Sequence, residues 1–358
     1  MKRSYTTDKR IKVLFTEIGD QGKLKLRTFT KTRDEHKDWC EGGLRFGEWG
    51  SCDAAWYEVG RWKDPFTHKE CNAIPRIAVE GTFGTERGHF GTAQYQRIHH
   101  VMGAVVRGII GVYLIPKSST YMLEGKRVHV HWLWQMVLAA LNASKIHSAP
   151  FLVINANEPQ ILTELVKALG FDDNVRANQI VQDCLDEMKD YVEENIPKHY
   201  DLNEYLNSMD DVILLSNTAV GKILSSNLSS FVSSSKRGGH IAIGEYLVHR
   251  YAFDKKKVFL IFPRLTTGDL AKLDERRHKK EWIFLRTRND LEIITFDDLQ
   301  IKNTKLRDKL LNIREKEPLN KLPWAREWKN IVKELKSGFI NGKIQIKKKS
   351  SATLKNFV

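Results

Sequence analysis

The stretch AIPRIAVEGTFGTE (residues 73–86) decides how the rest of the chain is interpreted. Its first half is rich in apolar and β-branched residues, which is typical of a buried strand. A single carboxylate, Glu80, ends the apolar run, and two glycines and two threonines follow. An unpaired carboxylate is costly to bury, so Glu80 must face a cleft, bind a cation or pair with an arginine. Glu80 is therefore the first candidate site residue, with an ion pair to Arg61 or Arg87 as the structural alternative.

The segment before it, SCDAAWYEVGRW (residues 51–62), also has strand composition, so the two segments are expected to form a hairpin. A hairpin centred near residue 69 places Glu58 opposite Glu80 and brings Asp53 to the glycine-rich exit. Three carboxylates this close repel one another unless a cation lies between them. Oxygen ligands suit Mg²⁺ or Mn²⁺. The sequence thus predicts a metal site made of Glu80, Glu58 and Asp53.

Alternating elements follow the glycine-rich segment. Residues 93–108 have apolar side chains at helical spacing, and the apolar run IIGVYLIP (residues 109–116) is typical of a central strand. A helix over 130–146, a strand over 149–156 and a helix over 158–170 complete the pattern. This order predicts an α/β (α+β) fold with a mixed central sheet flanked by helices.

The second half of the chain is interpreted as a separate part. We expect residues 1–172 to form a catalytic core and residues 173–358 to serve DNA recognition and dimerisation, although one continuous body is the alternative. Residues 281–299 are expected to form a strand–turn–strand with Asn289 and Asp290 in the turn.

The charge and composition of the chain indicate which classes of binding partner to expect. The net charge is +14, and from residue 301 onward 16 Lys/Arg face 5 Asp/Glu. Such a basic surplus favours nucleic acid, with a solvated tail as the plain alternative. No apolar run is long enough for a membrane span, so no membrane partner is expected. The four cysteines lack metal-binding or disulfide spacing, which predicts a reduced, cytoplasmic protein.

Several polar residues are candidates for binding DNA. Glycine lets the backbone approach a phosphate closely, and Arg, Lys and Gln supply donors to phosphates and guanine edges. For the candidates beyond residue 172 the structural alternative is a solvated loop. The candidates are Arg87, Gln94, Arg97, Lys236, Arg237, Arg264, Arg286 and Arg288.

The pattern VEGTFG…AQYQRIHHVMGAVVRGIIGVYLIPKS resembles the PD-(D/E)XK nucleases, in particular the type II restriction endonucleases, over roughly residues 50–170. The shared order is an acidic hairpin, a strand with Glu, a helix and an apolar strand ending in Pro. Glu80 matches the Glu of the family's Glu-x-Lys motif, and Thr82 stands at the Lys position. Because Thr carries no charge, the metal, Arg87 or Gln94 would have to stabilise the phosphate. For the upstream acid, Glu58 is preferred on hairpin pairing and Asp53 is second.

The resemblance implies a restriction-endonuclease-like core and a function. We expect a sequence-specific, Mg²⁺-dependent endonuclease for double-stranded DNA, acting as a homodimer in a prokaryotic cytoplasm as part of restriction-modification. Mn²⁺ is the alternative ion. Two other functions stay open: a non-catalytic DNA-binding protein with a degenerate nuclease core, and a structure-specific repair nuclease.

Overall fold

The fold is given by a computed structural model that describes residues 6–28, 49–81, 90–115, 120–123, 126–129, 133–195, 211–215, 243–244, 246–248, 250–252, 257–262, 267–268 and 279–295. Its helices are α1 (Thr6–Ile18), α2 (Phe90–Val105), α3 (Leu133–His147), α4 (Gln160–Gly170), α5 (Asn174–Asn195) and α6 (Lys279–Arg286). Its strands are β1 (Leu24–Thr28), β2 (Ala54–Lys63), β3 (Glu70–Gly81), β4 (Ile110–Ile115), β5 (Thr120–Leu123), β6 (Lys126–His129), β7 (Phe151–Asn155), β8 (Asp211–Leu215), β9 (Lys257–Phe262) and β10 (Leu291–Thr295).

A five-stranded mixed sheet forms the centre, in the order β1-β2-β3-β4-β7. The pairs β1/β2 and β2/β3 are antiparallel, whereas β3/β4 and β4/β7 are parallel. Each parallel pair needs a crossover, and helices α2 and α3 lie in these two connections. The expected mixed sheet flanked by helices is confirmed, with α1 and β1 as additional elements ahead of the hairpin.

Alternation along β3 divides its side chains between two cores. Ile77 and Val79 lie with residues of α1, α4 and α5 on one face of the sheet. Ala78 lies with residues of α2 and α3 on the other. Glu80 follows Ala78 by two residues, so it shares the face that α2 covers. This placement brings the side chains of α2 to the carboxylate.

Helix α2 approaches strand β4 very closely at Gly111. A Cβ atom on this glycine would lie 2.6 Å from a methyl carbon of Val101 and 2.6 Å from one of Val105. Only a residue without a side chain leaves room for the helix at this distance. Beyond the helix end, the buried Arg107 donates from Nε to Asp64 Oδ2 at 2.9 Å. The two contacts fix the position of α2 on the sheet.

Residues beyond 172 continue the packing of the first part. Helix α5 packs against both α3 and α4. Tyr246, Leu247 and Phe284 belong to the same hydrophobic core as α2 and α3. The strands β8, β9 and β10 form a separate parallel sheet in the order β10-β9-β8. The division at residue 172 stays a prediction. In the described part of the chain, residues on both sides of this position pack into the same core.

The expected strand at the start of residues 281–299 is wrong, because this segment is helix α6. Phe284 and Leu285 are adjacent in sequence and both fully buried in one core. A half-buried strand sends neighbouring side chains to opposite faces, whereas neighbouring side chains of a helix are only about 100° apart and can both lie on its buried side. Phe284 meets Trp49 edge to face at a centroid distance of 4.7 Å. The second strand of the prediction is β10.

Among the described residues, none of the helices combines the length and the apolar composition that crossing a membrane requires.

Candidate functional site

Asp53 and Glu80 meet at one end of the β2–β3 hairpin. Ala54 pairs with Val79, so Asp53, the residue before β2, lies beside Glu80. Glu80 is 2% exposed, in line with its position at the end of a buried strand. The Gly81 amide donates to Asp53 Oδ2 at 3.1 Å, which ties the two strand ends together. The sequence therefore placed these two carboxyl groups correctly at the same edge.

Glu58 does not lie opposite Glu80, and that expectation is wrong. Its strand partner is Ile74, because the hairpin turns earlier than assumed and has register shifts at Trp56/Tyr57 and Val59/Trp62. Ile74 is six residues from Glu80, which is about 20 Å along a strand. The Glu58 carboxylate pairs instead with Arg76 at 2.8 Å and Lys23 at 3.0 Å. Asp53, the second choice for the upstream acid, is the residue that the fold brings to Glu80.

Arg97 on α2 joins the two carboxyl groups. Its Nη1 atom donates to Glu80 Oε1 at 3.0 Å, to Asp53 Oδ2 at 3.3 Å and to the Gly81 carbonyl oxygen at 3.0 Å. Three oxygens from two neighbouring strand ends thus surround a single cationic nitrogen. Arg97 was expected to face DNA, and the structure shows it facing the carboxylates.

His100 holds the other oxygen of Glu80. Its Nδ1 lies 3.2 Å from Glu80 Oε2. A Cβ on Gly50 would lie 2.7 Å from the His100 ring, so this glycine leaves the ring the space it occupies. Burial, helped by the charge of Arg97, lowers the pKa of His100 to about 4. The imidazole is therefore neutral at pH 7, and it can donate one hydrogen bond to the carboxylate.

The environment disfavours two full negative charges. Burial and then the nearby Glu80 charge raise the pKa of Asp53, although Arg97 opposes both. Burial likewise raises the pKa of Glu80, and Arg97 and hydrogen bonds from Asp53 only partly offset it. A cation with more charge than one guanidinium would remove this penalty, because an added positive charge favours the ionised form of both groups.

The oxygen donors at this position are of the kind that bind a hard divalent cation, and two of them come from carboxyl groups. Within the described ranges no three or more His, Cys, Asp and Glu side chains gather as a metal-binding group. The site offers two carboxyl groups, and the carbonyl oxygen of Gly81 is a third oxygen aimed at the same point. Mg²⁺ is commonly held by one or two carboxylates and completes its shell with water and substrate phosphate.

The remaining predicted site residues fall into three groups. Gln94 lies in helix α2, where only its backbone is described. Arg286 ends α6 and is exposed, whereas Arg288 lies over the rings of Phe284 and Trp49 at 4.0 and 5.2 Å. Arg288 therefore has a packing role in the described structure. The residues outside the described part are Thr82, Arg87, Lys236, Arg237 and Arg264.

Sequence reasoning missed His100 as part of the site. The only signal for it was spacing, since Gln94, Arg97 and His100 follow one another at intervals of three along a helix. Residues at this spacing share a face. A lone histidine in a helix is more often a satisfied surface or core residue, so this spacing alone did not single out His100.

Comparison of the chain with protein-family models, with curated proteins and with solved structures finds no match.

Proposed function

We propose that the chain is a Mg²⁺-dependent endonuclease that hydrolyses phosphodiester bonds of double-stranded DNA. The observation that carries this proposal is the convergence of Asp53, Glu80 and the Gly81 carbonyl on one cation position. The element order around it, a hairpin followed by α2 and the parallel strand β4, is the order expected from the resemblance to PD-(D/E)XK nucleases. The basic surplus of the chain supports a polyanionic substrate.

The chain's own residues would perform four tasks. Asp53 and Glu80 would hold the cation, and the Gly81 carbonyl would complete the oxygen set. The Gly81 amide fixes Asp53, and His100 fixes the free oxygen of Glu80. When bound, Mg²⁺ lowers the pKa of a water molecule and neutralises charge at the phosphate. The side chain of Asp53 keeps 31% of its surface exposed, which would give a substrate phosphate access to this side of the pair.

The finer assignment follows the resemblance. We propose sequence-specific cleavage of the type II restriction class, by a homodimer in a prokaryotic cytoplasm. A two-fold dimer suits a palindromic site because its symmetry matches that of the two DNA strands. Discrete bands from a plasmid digest would support this assignment, whereas preference for branched DNA would favour the repair nuclease.

The test is a plasmid digest with Mg²⁺, with Mn²⁺ and with EDTA, repeated on charge-removing variants. We expect cleavage only with metal, and we expect Glu80→Gln and Asp53→Asn each to lower the rate about 100-fold or more. Glu58→Gln is the matched control, since it removes a carboxylate from the same hairpin far from the site. Its rate should stay within a few-fold of the wild type. Equal loss in all three variants, or cleavage in EDTA, would contradict the assignment.

One observation favours a second candidate, the non-catalytic DNA-binding protein. Arg97 already neutralises part of the charge of the carboxyl pair, as an arginine does in a purely structural ion-pair network. This candidate predicts salt-sensitive DNA binding with no cleavage in Mg²⁺ or Mn²⁺. The same digest therefore separates the two functions.

A further inference from the structure

Arg97 binds two carboxyl groups and a backbone carbonyl through one nitrogen atom, whereas Arg76 binds one carboxylate through two. Arg76 uses two nitrogens, with Nε at 2.8 Å from Glu58 Oε1 and Nη2 at 3.2 Å from Glu58 Oε2. This two-point fork is the preferred geometry of an arginine with a carboxylate. Arg97 instead places the single atom Nη1 among three oxygens of different residues. A small cation surrounded by oxygens has the same arrangement.

Among the described residues, the two carboxyl groups share the positive charge of one guanidinium, that of Arg97. A divalent ion would compensate two negative charges and so favour ionisation of both carboxyl groups, whereas one guanidinium compensates a single negative charge. Replacement of the guanidinium by such an ion is therefore electrostatically favourable for the pair.

The side chain of Arg97 can leave while its helix stays in place. It is 32% exposed, whereas that of Glu80 is 2% exposed. The backbone of α2 is held by Ile98, Val101 and Met102, which are fully buried in the core next to Arg97. Movement of the arginine thus breaks the hydrogen bonds of Nη1 and turns a long, flexible side chain toward solvent without displacing the helix.

We propose that Arg97 is a displaceable internal cation. It holds Asp53 and Glu80 together in the metal-free protein, and a divalent ion takes its place. The released guanidinium is then free to bind a phosphate group of the substrate, so metal loading and substrate binding are coupled. This inference rests on the proposed function, because it assigns the same site to the ion.

The test measures metal binding directly, without activity. The full chain is titrated with Mn²⁺ alone by calorimetry, and its thermal unfolding is followed with and without Mn²⁺. A side chain that occupies the site lowers the apparent affinity for Mn²⁺, because only the molecules with an open site can bind the ion. We therefore expect Arg97→Met to bind Mn²⁺ about tenfold or more tightly than the wild type. We also expect a lower melting temperature without metal and a larger rise on adding Mn²⁺.

Arg76→Met is the matched control, because it removes an arginine from the other carboxylate of the same hairpin. Its Mn²⁺ affinity should equal that of the wild type. Arg97→Gln is a second variant, which keeps a polar group at the position if the methionine disturbs folding. Equal or weaker Mn²⁺ binding by both Arg97 variants would overturn the inference.

Mn²⁺ binding and DNA cleavage together distinguish failure of the inference from failure of the proposed function. If the wild type binds Mn²⁺ and cuts DNA through Glu80, but the Arg97 variants bind Mn²⁺ no more tightly, only the displacement is wrong. If neither the wild type nor the Arg97 variants bind Mn²⁺, the proposed function and the inference are both wrong. Glu80→Gln in the Arg97→Met background should abolish the gain, and a gain that persists would place the ion elsewhere and overturn the inference.

Discussion

Replacing Gly111 by alanine tests whether the close contact of α2 with β4 holds the site together. The added Cβ would lie 2.6 Å from methyl carbons of Val101 and Val105 and 3.2 Å from the Val101 carbonyl oxygen. Carbon atoms at their optimal separation lie about 3.5–4.0 Å apart, so the helix or the two valines must move by roughly 1 Å. Overpacking of this kind costs about 1–3 kcal/mol.

The expected result of Gly111→Ala is a loss of stability that a second substitution relieves. For a chain of this length the shift is about 1–2 °C per kcal/mol, so the melting temperature should fall by about 1–6 °C in a circular dichroism melt. Val101→Ala alone removes buried methyl groups and also destabilises the fold. In the double variant the contact with the Val101 methyl group is gone and the one with Val105 stays. The loss should therefore be smaller than the sum of the two single losses by about 0.5 kcal/mol or more. Strictly additive losses, or no loss in Gly111→Ala, would refute the contact.

Two further predictions concern buried polar contacts. Burial raises the pKa of Asp64, but hydrogen bonds from the Phe66 amide and Arg107 outweigh it, so its folded pKa is lowered. Its contribution to stability is therefore complete above the ordinary Asp pKa of about 4 and is lost as pH falls through the lower folded value. Asp64→Asn should lower the free energy of unfolding by about 3–5 kcal/mol at pH 7, with a smaller difference near pH 3, in urea titrations at both pH values. Ser144 accepts from the Phe151 amide at 2.8 Å. Ser144→Ala leaves that amide unsatisfied and should cost about 1–3 kcal/mol in the same assay, whereas the exposed control Thr16→Ala should change stability by less than about 0.5 kcal/mol.

The fold was predictable where the spacing of apolar residues and the order of the predicted helices and strands indicate the same structure. The apolar run of residues 109–116 and the helical spacing before it defined the unit formed by α2 and β4, because burial on both faces leaves a clear pattern. Helix α6 was not predictable in the same way. Its run of Trp, Ile, Phe and Leu has strand composition, and its helical state depends on packing against Trp49, far away in sequence.

The site was predictable as a pair of carboxylates but not in its details. Glu80 was found because a charge ends an apolar strand. The choice between Asp53 and Glu58 depended on hairpin register, which two shifts in the pairing of β2 with β3 decide. Such irregularities depend on local turn geometry that composition does not reveal. The contacts of Arg97 and His100 with Glu80 depend in turn on how α2 lies over the sheet.

Trp49 and Gly50 are neighbours in sequence but touch different parts of the protein. Trp49 packs edge to face against Phe284 of α6, and Gly50 lies against the ring of His100, which contacts Glu80. A chain of contacts through these two adjacent residues therefore connects α6, which lies after residue 172, with the buried carboxylate. A substitution that moves α6 should therefore also shift the ring of His100, because the two residues that contact Phe284 and His100 are adjacent in the chain.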